Sequence, residues 1–370
     1  MLWKFKRAWA ARRPLVLAGM PAAAGYGPPI GHLIGWLPLT LFRARATLSH
    51  VVPAGIRSAE PPSAPSPNAS SGRRAEPVIA GAAALRSGKG SHDENFPVAS
   101  RLVHPRHRGI ILAFYEFVRV ADDIADHPAL SEQDKLAHLN RLEQNLLGTA
   151  TDEPQGTALR AALAERGLSP QHAQDLLTAF RLDVTKRRYV DFDDLIGYCT
   201  YSAMPVGRFV LDVHGESRAT WPANDALCTA LQIINHLQDC AADYRKLDRV
   251  YIPLDALAAE GTSVEALALP RASPELRACI SKLAQRTAGL LDRSSGFARQ
   301  ICDRRLALEV AVIQTLAERL VRILQTRDPL SQPVHLAKPA VAALGLVGII
   351  RGLWGRLSRS ERAVPQAERD

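Results

Sequence analysis

Two acidic clusters with the same internal spacing lie 117 residues apart in this sequence. The first reads Asp122-Asp123-Ile124-Ala125-Asp126, and the second reads Asp239-Cys240-Ala241-Ala242-Asp243. Each cluster places aspartates at i and i+4, which lie on one face of an α-helix. Two such faces turned toward each other would form an oxygen-rich site for a hard divalent cation. Mg²⁺ is the natural ion where a phosphorylated ligand completes the coordination.

The first cluster belongs to a longer polar face on a helix predicted over residues 107–126. That face carries, at i, i+4, i+7 and i+11, Tyr115, Arg119, Asp122 and Asp126. The flanking residues are apolar almost all round, which indicates a buried helix rather than a solvated surface face. Buried carboxylates need neutralisation, and one arginine is too little for three aspartates. Metal binding by this cluster is the simplest interpretation.

The second cluster repeats this design on a helix predicted over residues 225–244. Its polar face carries, at i, i+3, i+7 and i+11, Gln232, Asn235, Asp239 and Asp243. A polar stripe on an otherwise apolar helix is unfavourable unless something binds it. Two stripes of one design favour a metal site over two solvated faces. Mg²⁺ ions held by carboxylates and a diphosphate would act as Lewis acids and withdraw diphosphate as the leaving group.

The elements that must position these faces form an all-α pattern. Long helical periodicities follow one another with short breaks, and no stretch shows the period-two alternation that is typical of strands. Ser131 followed by Asp134 resembles the capping box of a helix start. We predict one all-α domain over residues 93–355 and a polar tail over residues 356–370.

The formal net charge of +9 is concentrated in the leading segment. Residues 1–92 hold twelve Lys and Arg residues but only two Glu residues, whereas the remainder is almost balanced. The basic excess therefore does not indicate nucleic-acid binding, and no nucleic-acid-binding motif is present. The Pro, Ala and Ser content is typical of a disordered tail or of sequence upstream of a start codon placed too early. A signal peptide is the alternative.

A second apolar segment covers residues 339–354, which is short for a membrane span and is interrupted by Arg351. Lys338 and Arg356 flank an apolar face that includes Trp354. This segment is either a peripheral membrane contact or a last core helix with a basic end. The five cysteines show neither CxxC nor Cys/His metal spacing and indicate reduced, mostly buried thiols. We predict a cytoplasmic protein, with peripheral contact to the inner membrane as an open alternative.

Five segments, in order, resemble motifs of the squalene/phytoene synthase family over about residues 93–340. They are Glu94-Asn95-Phe96-Pro97-Val98-Ala99-Ser100, Tyr115-x-Phe117-x-Arg119-x-x-Asp122-Asp123-Ile124-Ala125-Asp126, Asp183-Val184-Thr185-Lys186-x-Arg188-Tyr189, Tyr198-Cys199-x-x-Ser202-Ala203-x-Pro205-Val206-Gly207-Arg208, and Asn235-x-x-Gln238-Asp239-x-x-x-Asp243 followed by Arg249-Val250-Tyr251-Ile252-Pro253. The first segment, the 183–186 stretch and Gln238 resemble the bacterial hopanoid-pathway branch that acts on presqualene diphosphate.

This resemblance implies an isoprenoid (terpenoid) synthase helical bundle with a central cavity. The implied Mg²⁺ ligands, for three ions with diphosphate bound, are Asp122, Asp126, Asp239 and Asp243, with Asp123 assisting. The implied diphosphate contacts are Arg119, Gln232, Asn235, Arg249 and Tyr251. Tyr198 and Tyr189, with Arg119, would act at the reacting atoms, because a phenol can orient a leaving group or stabilise a carbocation through its π face. The alternative for each tyrosine is ordinary core packing.

The implied reaction is ionisation of presqualene diphosphate, rearrangement of the cation and capture by water, which gives hydroxysqualene. We expect no requirement for NADPH, because the sequence has no Gly-rich dinucleotide motif. The implied partners are a lipophilic prenyl diphosphate and neighbouring enzymes of the squalene pathway. One alternative is a head-to-head synthase that makes presqualene diphosphate, squalene or phytoene from two prenyl diphosphates. Another is a non-catalytic helical assembly factor, although retention of both acidic clusters counts against it.

Three positions depart from the pattern of many relatives. Gln238 stands where they have Arg, Ala242 where they have Glu, and Asp248 where they have Gly. Losing one cation and one carboxylate together keeps the local charge balance. The change fits an enzyme that takes the already joined C30 intermediate rather than two separate diphosphates.

Overall fold

The structure, a computed structural model, describes residues 103–362. This range folds into α-helices, and its one contact between extended segments is an isolated bridge between Arg188 and Val250. The predicted all-α fold is therefore confirmed. The helices are α1 (Pro105–Ala125), α2 (Glu132–Leu147), α3 (Pro154–Glu165), α4 (Gln171–Thr185), α5 (Phe192–Ser202), α6 (Met204–His214), α7 (Trp221–Leu247), α8 (Leu254–Ala259), α9 (Pro274–Ser294), α10 (Phe297–Gln300), α11 (Arg304–Thr326) and α12 (Lys338–Arg362).

Several predictions fall on residues outside this range. The disordered tail or signal peptide over residues 1–92, the motif Glu94–Ser100 and the end of the polar tail all lie outside the described residues. Within the range, α12 continues past residue 355 to Arg362.

Local sequence signals explain where the helices begin and end. The Ser131 hydroxyl accepts a hydrogen bond from the Asp134 N–H and so caps α2, as the sequence predicts. Gly148 ends α2 with a φ of 89°, in the left-handed region that glycine adopts without strain. The helices α1 and α7 begin two and four residues before the predicted starts, with a proline in the first turn of each.

Two apolar clusters hold these helices together. One surrounds α7 and includes residues of α5, α9 and α11, and the other joins α1 to α2, α3 and α4. Because α7 is buried on almost every side between Ala223 and Asp243, its polar residues lie inside the protein. The first cluster also contains the free thiols Cys199, Cys228, Cys240 and Cys279, whereas Cys302 is exposed.

Candidate active site

The first acidic cluster lies at the buried end of α1. Arg119 donates a hydrogen bond from Nη2 to Asp123 Oδ1 at 2.7 Å, and its Nη1 lies 3.9 Å from Asp122 Oδ2. The spacing of three and four residues places these side chains beside one another on the helix. All three are at least nine-tenths buried, so the arginine and the carboxylates stabilise each other in a poorly solvated site.

Arg249 connects this end of α1 to the end of α7. Its Nη1 donates to Asp126 Oδ1 at 2.6 Å, and its Nη2 donates to the Ala125 carbonyl at 3.1 Å. Its backbone N–H donates to the Asp243 carbonyl at 3.3 Å. Arg249 therefore pairs with the first acidic cluster through its guanidinium and is joined to the end of the second cluster through its backbone.

The electrostatic surroundings of Arg249 keep it charged. Burial acts to lower the pKa of this residue, but nearby negative charges, with Asp183 first and Asp122 among them, raise the pKa above its ordinary value. Its Nε–H is buried and has no acceptor among residues 103–362. One donor of this cation is therefore available to an anionic ligand.

The second acidic face lies on α7 with the predicted side chains in place. The buried polar residues of this face are Gln232, Asn235, His236, Asp239 and Asp243. His236, which we did not predict, lies with its Nδ1 4.0 Å from Asp243 Oδ2 and its ring against Tyr251. A lone histidine on an apolar helix carries no signal in the sequence, which is why it was missed.

The three site tyrosines and His236 form an aromatic cage around Asp183. The carboxylate of Asp183 accepts hydrogen bonds from the Tyr198 hydroxyl at 2.9 Å and from the Tyr251 hydroxyl at 2.6 Å. The ring of Tyr251 stacks on His236 with centroids 3.6 Å apart, and Tyr189 lies 5.4 Å from both other tyrosine rings. Asp183 belongs to the family-like motif at residues 183–189, but no sequence pattern indicates its hydrogen bonds to Tyr198 and Tyr251, which lie 15 and 68 residues further along the chain.

The phenols of the cage stay protonated at neutral pH. Burial, followed by the Asp183 carboxylate, raises the pKa of Tyr189, Tyr198 and Tyr251 well above the ordinary value. Tyr198 and Tyr251 use their protons on Asp183, whereas the Tyr189 hydroxyl has no hydrogen-bond partner in the part of the chain that the structure describes. The three tyrosine rings are buried against one another, and none of them lines the apolar cavity described next, so the group that the cage leaves uncommitted is the Tyr189 hydroxyl.

An apolar cavity of about 1120 Å³, including its open side, lies next to the acidic site. Its walls come from α1, α6, α7 and α11, with Phe114 and Phe209 among the lining residues. On α1 the cavity residues end at Val118, one position before Arg119, and on α7 they end at Leu231, one position before Gln232. Both helices thus pass from apolar lining to carboxylates in the same order along the chain. This arrangement accommodates a hydrocarbon chain that ends in an anionic head group.

The donor set fits Mg²⁺ rather than a softer metal, because it consists of carboxylate and amide oxygens. Within residues 103–362, no three His, Cys, Asp or Glu side chains form a complete metal site by themselves. Mg²⁺ in phosphoryl sites usually takes one or two carboxylates and completes its shell with substrate oxygens and water. The aspartates of α1 and α7, each a pair on its own helix, match that mode of binding.

Two of the departures from the family pattern have structural partners away from the carboxylates. The Gln238 amide donates to the Val334 carbonyl, which ties α7 to the segment before α12. Asp248 ends α7 with a φ of 50°, the one positive φ of a non-glycine residue in the described range. Its Oδ1 accepts a hydrogen bond from Arg188 at 2.6 Å, which holds the left-handed conformation where many relatives have glycine.

The bundle and its site together define the class of protein. Helices surround an apolar cavity, and the two helices α1 and α7 that line it both carry buried carboxylates beyond it, as expected of an all-α isoprenoid synthase. Residues 90–340 match the family model described as squalene/phytoene synthase, and the chain belongs to that family.

Two hydroxysqualene synthases are similar to this chain over almost their whole length. The hydroxysqualene synthase of Rhodopseudomonas palustris is 59% identical over 74% of this chain and 96% of its own. The hydroxysqualene synthase of Sinorhizobium fredii is 54% identical over 75% of this chain and 97% of its own. The squalene synthase HpnC from Alicyclobacillus acidocaldarius has 30% identity and a TM-score of 0.57, covering 66% of this chain and 91% of its own. A dehydrosqualene synthase with 22% identity and a TM-score of 0.56 shares the fold over 66% of this chain and 87% of its own.

Proposed function

We propose that this protein is a Mg²⁺-dependent isoprenoid synthase that converts presqualene diphosphate to hydroxysqualene and releases diphosphate. The observation that carries the proposal is the shared order of α1 and α7, in which the apolar cavity residues are followed first by a polar side chain, Arg119 or Gln232, and then by carboxylates. A long hydrocarbon with a diphosphate head satisfies both halves of that space. The relatives called hydroxysqualene synthase, at 53–59% identity, support the choice of product.

The acidic end of the cavity would hold the diphosphate. Mg²⁺, when bound by the aspartates of α1 and α7, supplies positive charge that stabilises the leaving diphosphate. Arg249 would direct its buried Nε–H to a phosphate oxygen, and Arg119 would contribute a second guanidinium. Gln232 and Asn235 would hold the head group with their amides on the α7 face.

The cavity and the cage would control the carbocation. Apolar walls exclude stray nucleophiles while the cation rearranges. The π faces of the cage stabilise positive charge without reacting with it, because the phenols are protonated and poorly nucleophilic. In the final step one water adds to the cation, and the protonated alcohol that results would pass its proton to the released diphosphate. The Tyr189 hydroxyl is the uncommitted group that we assign to holding this water.

We also infer a cytoplasmic location and a supply of substrate by neighbouring enzymes of the pathway. The four buried thiols, none of them in a disulfide, suit a reducing compartment. A prenyl diphosphate of this size is poorly soluble in water, so its transfer over a short distance is favourable.

The decisive experiment offers the purified full chain two substrates with Mg²⁺. Hydroxysqualene from presqualene diphosphate, with no product from farnesyl diphosphate, is the expected result. Product from farnesyl diphosphate would instead identify a head-to-head synthase. No product from either substrate, with an intact helical circular dichroism spectrum, would identify a non-catalytic relative.

A matched pair of variants assigns the activity to the site. Asp239→Asn removes a carboxylate of the α7 face and should abolish turnover while the helical spectrum is retained. Asp255→Asn changes an exposed aspartate of α8 and should leave turnover unchanged. Equal activity of the two variants would remove Asp239 from the site.

A further inference from the structure

The outer face of α12 is apolar and exposed. It consists of Leu346, Val347, Ile350, Leu353 and Trp354, which are 60%, 43%, 55%, 50% and 75% exposed. Their spacing of three, four and seven residues places them on one side of the helix. The other large apolar residues that are exposed in the described range lie at separate points along the chain. Isolated exposed apolar residues are ordinary, whereas a contiguous apolar patch indicates an interaction surface.

The opposite face of α12 fixes this orientation. A Cβ added to Gly348 would lie 2.6 Å from Val312 Cα, and one added to Gly352 would lie 3.1 Å from the Ala311 Cβ. Such distances require that α12 and α11 approach each other as closely as glycine allows. Since the glycine face must remain against α11, the apolar face must point away from it.

The charge of α12 is suited to an anionic surface. The helix carries five basic residues, Lys338, Arg351, Arg356, Arg359 and Arg362, against the single acid Glu361. Helices that combine a basic sequence, an apolar face and an exposed tryptophan bind at the interface of membranes that contain anionic lipids.

The contacts of α12 favour lying on a bilayer over crossing it. Lys338–Gly355 is long and apolar enough to be a candidate membrane span, and little of it is buried in the protein. However, Arg351 forms an ion pair with Glu318 at 2.9 Å. If α12 crossed the bilayer, this ion pair would break and the glycine face would lose its contact with α11. Eighteen helical residues also extend only about 27 Å, slightly less than the hydrocarbon core of a bilayer.

We propose that the outer face of α12 docks this protein on an anionic membrane surface. One helix, α11, separates this face from the cavity, because Val310 and Ile313 line the cavity whereas Ala311 and Val312 face α12. Docking would therefore bring the cavity close to the bilayer, where a lipophilic substrate dissolves. That use of the docked position rests on the proposed function, but docking itself does not.

Vesicle binding tests the proposal without substrate. The full chain is mixed with phosphatidylcholine vesicles with and without 30% phosphatidylglycerol, and the bound fraction is measured by flotation. We expect binding to the anionic vesicles and a loss of about tenfold or more in I350E/L353E, which places charges in the interface. The control L147E/L269E changes two residues of similar exposure elsewhere and should bind like the wild type. Turnover of presqualene diphosphate in detergent should be the same in all three proteins.

Other binding partners of the outer face of α12 would give different results in this experiment. Equal flotation of the wild type and I350E/L353E would overturn the proposal, because another segment would then bind the lipid. Absence of binding by the wild type would overturn it as well. If I350E/L353E instead converts a lipid-free dimer to a monomer and the wild type does not float, the face binds a second copy and the proposal is wrong.

Discussion

Among the buried carboxylates near the site, Asp183 differs from the metal-binding candidates in what it contacts. Its oxygens accept hydrogen bonds from two phenols, whereas Asp123 and Asp126 are paired with arginines. Asp183 thereby fixes the directions of two rings in the aromatic cage. We assign it a positioning role, since it acts through Tyr198 and Tyr251 rather than on the substrate.

Asp183→Asn should lower turnover about 10- to 100-fold, because an amide replaces one acceptor oxygen with a donor and leaves a buried phenol unsatisfied at a cost of about 1–3 kcal/mol. The measurement is kcat with presqualene diphosphate, together with the ratio of hydroxysqualene to other C30 products. A loosened cage should alter this ratio, whereas a general loss of stability would not. Tyr198→Phe, which deletes one of the two hydrogen bonds, should give a smaller change in the same direction. An unchanged product ratio in Asp183→Asn would contradict the positioning role.

At the scale of helices, the sequence predicts α1 and α7 well because each carries a polar stripe of helical period on an apolar background. Their ends are less well predicted, since the proline-containing first turns extend both helices beyond the apolar pattern. The ion pair between Arg249 and Asp126 has no local signal, because it depends on how segments far apart in sequence pack. The partners of Asp183 and the contact of His236 with Tyr251 were not predictable for the same reason.

The close approach of α12 to α11 can be tested by adding a single Cβ atom at a glycine of α12. Gly348→Ala should lower the free energy of unfolding by about 1–3 kcal/mol, because the new atom would overlap the backbone of α11. Gly345→Ala on the same helix is the matched control, since its Cβ would lie 4.0 Å from Val312. This control should be neutral or stabilising by up to about 1 kcal/mol, as alanine favours helix more than glycine does. Urea unfolding of both variants measures the difference, and equal stabilities would refute the close approach.

For the molecule as a whole, the site concentrates negative charge inside the fold. Asp122 and Asp123 lie beside Arg119, Asp126 pairs with Arg249, and Asp239 and Asp243 are buried on α7, so ligands that bring positive charge should stabilise the folded protein. Mg²⁺ supplies this positive charge, and diphosphate supplies oxygens that complete the coordination of Mg²⁺, so each ligand should strengthen the binding of the other.

Thermal unfolding should reveal this cooperation. Mg²⁺ with inorganic pyrophosphate at about 100 times the dissociation constant should add about 2.7 kcal/mol, or roughly 5–10 °C in Tm. Either component alone, or both with excess EDTA, should give a much smaller shift. Asp239→Asn should lose most of the joint shift, while Asp255→Asn should keep it. A joint shift of the same size in Asp239→Asn would mean that the ligands bind elsewhere.

The bridge made by Arg249 also bears on how the chain folds. It joins residues 123 positions apart, so it can form only after the ribosome has released everything from α1 to the end of α7. Contacts of such long range form late, because the entropy of closing the intervening loop must be overcome first. A nascent chain that stops before residue 249 would have Arg119 beside Asp122 and Asp123 but no arginine for Asp126. Completion of the site is thereby coupled to completion of the bundle through α7.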